Sequence, residues 1–151
     1  MLYKILVLLH ILSAILGLGP GFVMIYIVRK AKTMPELRHA YSIRNTLHVF
    51  VMIGGTLLLL TGLAMGTIHT YLWSMGWYVT SLILFLIALM FGPLVLSPRS
   101  KPVKQLLKNH RDESDDIPEE YHALARKLFF FERMENLIFL IIITLMVLKP
   151  F

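Results

Sequence analysis

The sequence predicts an all-α protein, a four-helix transmembrane bundle with up-down-up-down connectivity and both termini on the outer side. Hydrophobic residues make up 57% of the 151 residues and charged residues only 16%, whereas soluble domains carry about 25% charged residues. Apolar stretches occupy residues 5–28, 47–66, 73–96 and 129–148. Each approaches or exceeds the ~20 residues with which a helix crosses a hydrocarbon core of ~30 Å.

A single transmembrane domain over residues 1–151 is predicted, with helices at about 2–29, 36–66, 73–96 and 118–148. The first apolar run exceeds the ~7–15 residues of a signal-peptide core, so we expect a retained helix. Pro35 and Glu36 favour a helix start, because proline and acidic side chains suit the first turn. Pro118 followed by Glu119 gives the same signal for the fourth helix.

The third helix follows a connection, residues 67–75, that is rich in aromatic residues, as is typical of a water–lipid boundary. Gly92 and Pro93 predict a kink in this helix, and Pro98 predicts its end. We expect residues 98–117 to form a mobile cytoplasmic loop that includes an acidic run at 112–116.

Basic residues are concentrated in two of the three connections. Residues 29–45 and 97–120 are rich in Lys and Arg, whereas residues 67–75 contain neither. The positive-inside rule therefore places both basic loops in the cytoplasm, next to the inner membrane in a bacterial cell. The net charge of +6 then indicates orientation and contact with membrane lipid, not nucleic acid. A homo-oligomer or a larger membrane complex is the other expected partner.

Composition also restricts the chemistry. The chain has no cysteine, which excludes disulfides and thiolate metal sites. The sequence contains no nucleophile–base pair and no phosphate-binding loop. A non-enzymatic role is therefore favoured.

Polar residues within the predicted spans form an outer and an inner layer. His10 lies roughly 12 Å below the outer boundary, at ~1.5 Å per residue. It shares one helix face with Ser13 or Ala14, Gly17 and Gly21, and small residues favour close helix packing. We therefore expect His10 to point into the bundle. At a similar depth the other helices offer Thr61, Thr80, Ser81 and Thr144.

Two interpretations of His10 stay open. It is either a neutral structural histidine that shares a hydrogen bond, or a single axial haem ligand, metal ligand or proton carrier. A bis-histidine haem with His48 is disfavoured, because the two residues differ in height by roughly 15 Å. Softer copper sites would pair His10 with Met24, or His48 with Met52.

The inner layer is charged. Its members are Arg44, His48, Glu132, Arg133, Glu135 and Asn136. Charges at this depth cost several kcal/mol unless they are paired or hydrated. We expect Glu132 and Glu135 to pair with arginines, either Arg44, Arg29 or Arg133 of a neighbour, and to form a charged cytoplasmic rim. The alternative is a polar vestibule for an anionic head group or substrate, or a proton path.

Three short motifs carry a family resemblance: LHILSA at 9–14, LTGL at 60–63 and LMVLKP at 145–150. They resemble small integral membrane proteins of the CopD-like superfamily, whose relatives include copper-resistance proteins and HemJ-type protoporphyrinogen oxidases. In HemJ-type members a histidine in the first helix is linked to haem, so the resemblance implies that His10 binds haem b or copper. The third helix departs from these relatives, because residues 82–90 are purely apolar.

Three functions are compatible with these observations. The leading hypothesis is a membrane protein that binds a small ligand, haem or copper among the candidates, inside the bundle around His10. The second is a haem-dependent or quinone-linked oxidoreductase of HemJ type. The third is an accessory or structural subunit of a larger membrane complex.

Overall fold

The computed structural model describes residues 1–110 and 116–151, and every regular element within them is helical. The elements are α1 (Leu2–Arg29), α2 (Met34–Ile68), a 3₁₀ turn (Thr70–Ser74), α3 (Gly76–Phe91), a π-helical turn (Gly92–Leu96), α4 (Ser97–Asn109) and α5 (Glu119–Leu148). The predicted all-α class is therefore confirmed for the described residues. The elements form four continuous helical segments, because the π-helical turn joins α3 directly to α4.

Three helical segments are long and apolar enough to cross a membrane. They are Leu2–Arg29, Met34–Ile68 and Gly76–Asn109. α5 is not among them, since Glu132, Arg133 and Glu135 lie near its middle and leave only residues 136–148 free of charged side chains. The membrane-spanning character of α5 therefore stays a prediction.

The predicted loop over residues 98–117 is wrong for residues 98–109, because they form α4. The Ser97 backbone N–H donates to the Gly92 carbonyl, so the helix continues through a π-helical turn where a kink was predicted. Pro98 falls in the first turn of α4, where a missing N–H costs little. Most of the acidic run at 112–116, which we predict to be mobile, lies outside the described residues.

A capped turn joins α1 to α2. The Thr33 hydroxyl accepts a hydrogen bond from the Glu36 N–H at 3.4 Å, and the Glu36 carboxylate accepts one from the Lys32 N–H at 2.8 Å. Side chains here satisfy backbone donors that the first helical turn leaves without partners. α2 consequently begins at Met34, two residues before the predicted start.

α1 and α2 cross in direct backbone contact. A Cβ atom on Gly17 would lie 2.7 Å from the Gly54 carbonyl carbon, and one on Gly54 would lie 2.8 Å from the Leu16 carbonyl carbon. Only glycine allows this separation, and such close approach is typical of membrane helix pairs. The crossing fixes the register that brings His10 of α1 beside Thr61 of α2.

The buried side chains form two clusters. The first joins all four helical segments around Leu18, Leu58, Phe85, Ala88, Phe139 and Ile142. The second lies where α1 ends and where α2 and α5 begin, and it includes three side chains of α4, namely Val103, Leu106 and Leu107. α4 thus packs against protein with its apolar face. Arg38 of α2 donates to the carbonyls of Leu107 and His110, which satisfies acceptors at the C-terminal end of α4.

Both chain termini lie beside the connection between α2 and α3. The rings of Tyr3 and His69 pack edge to face with centroids 4.4 Å apart. The Trp77 backbone N–H donates to the Phe151 carbonyl at 2.9 Å. The termini and this connection therefore occupy one end of the molecule, and the α4 cluster occupies the other.

Candidate functional site

A cavity of about 440 Å³ separates the α1–α2 pair from α3 and α5. It lies in the half of the molecule that contains the termini. Among the described residues that line it, polar side chains come only from His10, Tyr78 and Ser81, and none is charged. The rest of the lining is apolar, with Leu18, Phe85 and Met146 as large contributors.

The hydrogen bonds of Thr61 define the state of His10. The Thr61 hydroxyl oxygen lies 2.9 Å from His10 Nδ1, 2.7 Å from the Leu57 carbonyl oxygen and 3.1 Å from that of Leu58. A hydroxyl has one proton, and here it is directed at backbone carbonyls of the preceding turn. We therefore assign the Nδ1–H tautomer to His10, with Nδ1 donating to Thr61. Nε2 is then an unprotonated acceptor.

Gly62 shapes the site around the imidazole. A Cβ atom at Gly62 would lie 3.4 Å from His10 Cε1, so the Nδ1–Cε1 edge of the ring rests against α2. The Gly62 carbonyl accepts a hydrogen bond from the Tyr78 hydroxyl at 3.0 Å, which ties α3 to the same turn. Nε2 has no hydrogen-bond partner among the described residues, and His10 lines the cavity.

Ser81 of α3 is the second polar group of the cavity. It is 0% exposed, and its hydroxyl has no hydrogen-bond partner among the described residues. Helical hydroxyls in a membrane usually donate to a carbonyl of the preceding turn, as Ser13 does to Leu9 at 2.6 Å. Leaving a buried hydroxyl unbonded costs about 1–3 kcal/mol. Ser81 also lines the cavity.

The other predicted members of the outer layer do not reach the cavity. Thr144 is exposed and donates to the Leu140 carbonyl of its own helix. Ser13 is buried and bonded within α1, and Thr80 does not line the cavity. Sequence reasoning did not single out Tyr78 and Met146, which also line the cavity.

The structure separates His10 from Met24, whereas His48 and Met52 lie one turn apart on the exposed side of α2. Met24 is buried about 20 Å along α1 from His10, by the rise of the helix. His48 lies about 20 Å along α2 from Thr61, the partner of His10. Met52 is 61% exposed. The described residues contain no group of three or more His, Asp or Glu side chains arranged around one point.

One ion pair dominates the inner layer. The Arg44 guanidinium bonds both carboxylate oxygens of Glu132, at 3.3 Å for Nη1 to Oε2, and the two side chains are 13% and 9% exposed. Arg44 also stacks over the Tyr41 ring at 5.6 Å. The Tyr41 and Tyr121 hydroxyls are 3.4 Å apart. These contacts form a compact polar cluster between α2 and α5.

The remaining inner residues are arranged differently. Asn136 Nδ2 donates to the Gly21 carbonyl at 3.1 Å and thereby ties α5 to α1. Arg133 is exposed. Within the described part of the chain, Arg44 to Glu132 is the only carboxylate ion pair that the structure places, so Glu135 and Arg29 are not joined as predicted partners.

Comparison with known proteins gives one match. The model of a family described as "Predicted integral membrane protein (DUF2269)" matches residues 4–150. No curated protein and no solved structure matches the chain.

Proposed function

Because the chain belongs to the DUF2269 family of predicted integral membrane proteins, we propose that it binds a small ligand inside the membrane, in the cavity around His10. The observation that carries this proposal is a largely apolar cavity of about 440 Å³ that is lined by His10 and by Ser81, whose buried hydroxyl has no partner among the described residues. Small-molecule sites have this size and this combination of apolar walls with a few polar groups. An ionisable side chain inside a membrane span also favours a functional role.

The candidate metals and cofactors fit this cavity unequally. Haem b would take His10 as an axial ligand, but its two propionates would face a lining in which no described residue is charged. Copper would find the imidazole of His10 and the thioether of Met146, a combination that soft copper accepts. The near absence of polar lining favours an apolar organic ligand over both. The resemblance to CopD-like proteins is the main support for haem or copper.

The first test of the ligand is chemical. We expect protein purified in detergent to lack a Soret band and stoichiometric copper, and to release an apolar molecule on solvent extraction, detected by mass spectrometry. A Soret band that disappears in His10→Ala would contradict the apolar ligand and support haem. Copper bound one to one and lost in the same variant would support copper.

A cavity-filling variant tests the location. We expect 4-hexylanisole bearing a diazirine to crosslink to cavity residues in vesicles, and Ala14→Phe to reduce this labelling by about tenfold, because the new ring occupies the cavity that Ala14 lines. Leu12→Phe is the matched control, since Leu12 lies on the same helix and is exposed. Labelling spread over all lipid-facing helices and unchanged in Ala14→Phe would contradict the proposal.

We further propose that the four helical segments form an up-down-up-down bundle with both termini outside and the α4 end in the cytoplasm. The contacts of Tyr3 with His69 and of Trp77 with Phe151 support the common end of the termini. The basic residues of the α4 end support its cytoplasmic side through the positive-inside rule.

Cysteine labelling tests this orientation directly, since the chain has no native cysteine. We expect Thr70→Cys to react with a membrane-impermeant maleimide in intact cells. Lys101→Cys, on the exposed side of α4, is expected to react only after permeabilisation. The reverse pattern would place the termini in the cytoplasm.

A further inference from the structure

The cavity reaches the lipid-facing surface between α1 and α5. Several of its lining residues are also strongly exposed on the outside of the helices: Ile11 is 52% exposed, Ile15 63% and Val147 72%. Exposed side chains of this kind face acyl chains once the apolar helices are in a bilayer. A ligand therefore has a direct path to the cavity from within the membrane.

The polar groups of the cavity restrict the charge and the hydrogen-bonding groups that a ligand can carry. His10 is neutral in the assigned tautomer, so Nε2 accepts a hydrogen bond and does not donate one. The Ser81 hydroxyl both donates and accepts. No described lining residue carries a charge, so a charged group on the ligand would be buried without a counter-ion. The complementary ligand is uncharged and contributes at least one hydrogen-bond donor.

The walls of the cavity restrict the shape of the ligand. Phe22, Tyr78 and Phe85 supply aromatic surface around the cavity, and aromatic pairs favour ring ligands through stacked or edge-to-face contacts. A volume of about 440 Å³ lies in the range of sites for small organic molecules.

We propose that the ligand is a membrane-soluble hydroxylated ring compound, of the phenol or hydroquinone class, whose O–H donates to His10 Nε2 and whose oxygen accepts from the Ser81 hydroxyl. This proposal rests on the proposed function, because it requires binding in the same cavity. Thr61 is a positioning residue here. By accepting from Nδ1 it holds the imidazole in the tautomer that presents a bare Nε2.

Two competitors test the hydrogen bond, because one has a hydroxyl donor and the other has a methyl ether in its place. 4-Hexylphenol has the donor, and 4-hexylanisole replaces it with a methyl ether; each competes with the diazirine probe in vesicles, at concentrations corrected for partitioning. We expect the phenol to displace the probe about tenfold more effectively, the effect of one hydrogen bond to a buried acceptor. His10→Phe and Ser81→Ala should each reduce this preference while the ether still binds.

The outcomes separate the two proposals. Equal displacement by phenol and ether would overturn the hydroxyl-bearing ligand and leave the cavity site intact. A probe that neither compound displaces, or that does not label the cavity, would overturn both. A preference for the phenol that persists in both variants would place the hydrogen bond elsewhere and overturn the assignment to His10 and Ser81.

Nitrogen NMR of the histidine side chains reads the hydrogen bond in the wild-type protein, and a variant is needed only to assign the signals. In wild-type protein labelled with ¹⁵N-histidine in nanodiscs, His10 should show a protonated Nδ1 and an unprotonated Nε2, assigned by the signals lost in His10→Phe. Adding 4-hexylphenol should shift the Nε2 signal, and 4-hexylanisole should not. A proton on Nε2 in the ligand-free protein would overturn the proposal.

Discussion

Replacing Gly54 with alanine is expected to destabilise the protein by about 2 kcal/mol or more, because α1 and α2 would have to move apart. The added Cβ would fall 2.8 Å from the Leu16 carbonyl carbon and closer still to the backbone of Gly17. Those neighbours are backbone atoms of a continuous helix, so no side-chain rotation relieves the overlap. Thermal unfolding in detergent micelles should show a lower Tm.

The same substitution at Gly19 is the matched control. Gly19 lies in α1, two residues from the crossing, and a Cβ atom there would meet nothing within 4 Å. We expect Gly19→Ala to leave stability unchanged or raise it slightly, by up to about 1 kcal/mol, since alanine favours the helix. Equal losses in both variants would indicate that glycine at 54 acts through helix flexibility and not through close packing.

A larger consequence of Gly54→Ala concerns the cavity. The Gly17–Gly54 contact sets the register of α1 against α2, and two turns further along the same pair His10 bonds Thr61. Separating the helices should lengthen that hydrogen bond and release the imidazole to either tautomer. The ¹⁵N signals of His10 in Gly54→Ala should therefore show a proton shared between the two ring nitrogens. An unchanged tautomer would show that the Thr61 contact holds without the crossing.

The sequence predicted the long helices because apolar runs of membrane length have few other stable structures. The sequence-based prediction failed for α4 because Pro98 was expected to end the third helix and the basic residues after it suggested a loop. The spacing of Val103, Leu106 and Leu107, at i, i+3 and i+4, was the signal of an amphipathic helix. Its burial depends on partners far along the chain, and hydropathy does not report those partners.

The sequence predicted the level along the helices at which the site residues lie, but it did not predict their hydrogen bonding. Counting residues along antiparallel helices placed His10, Thr61 and Ser81 at one level, and the structure places all three near the cavity or its wall. Neither the tautomer of His10 nor the unbonded state of Ser81 follows from that count. Both depend on which carbonyl each hydroxyl reaches, and this is decided by local helix packing.

The inner layer was likewise predicted only in part. The sequence predicted arginine partners for Glu132 and Glu135, but only Glu132 meets one within the described residues. Glu132 and Glu135 are three positions apart on α5. Glu132 is buried and bonds Arg44 of α2, whereas Glu135 is half-buried. Among the described residues, Arg44 and Glu132 are therefore the pair in direct contact in this layer.

Removing Glu132 is expected to cost about 3–5 kcal/mol, because Glu132→Ala leaves the Arg44 guanidinium buried without the carboxylate that it bonds. Both side chains are shielded, at 13% exposed for Arg44 and 9% for Glu132, so solvent compensates little of the lost pairing. Equilibrium unfolding in mixed micelles with increasing sodium dodecyl sulfate measures this loss. Arg133→Ala, the adjacent exposed charge on α5, should change the free energy of unfolding by less than about 0.5 kcal/mol.

A double-mutant cycle separates the contribution of the ion pair to the free energy of unfolding from the cost of burying one unpaired charge. Arg44→Leu combined with Glu132→Leu removes both charges and should recover most of the stability that either single change loses, because replacing a buried ion pair with apolar side chains is often neutral. Additive losses would mean that the two residues act independently and that the carboxylate is held by other contacts. Recovery would identify the pair as an ion pair that joins α2 to α5, with a structural role distinct from the cavity around His10.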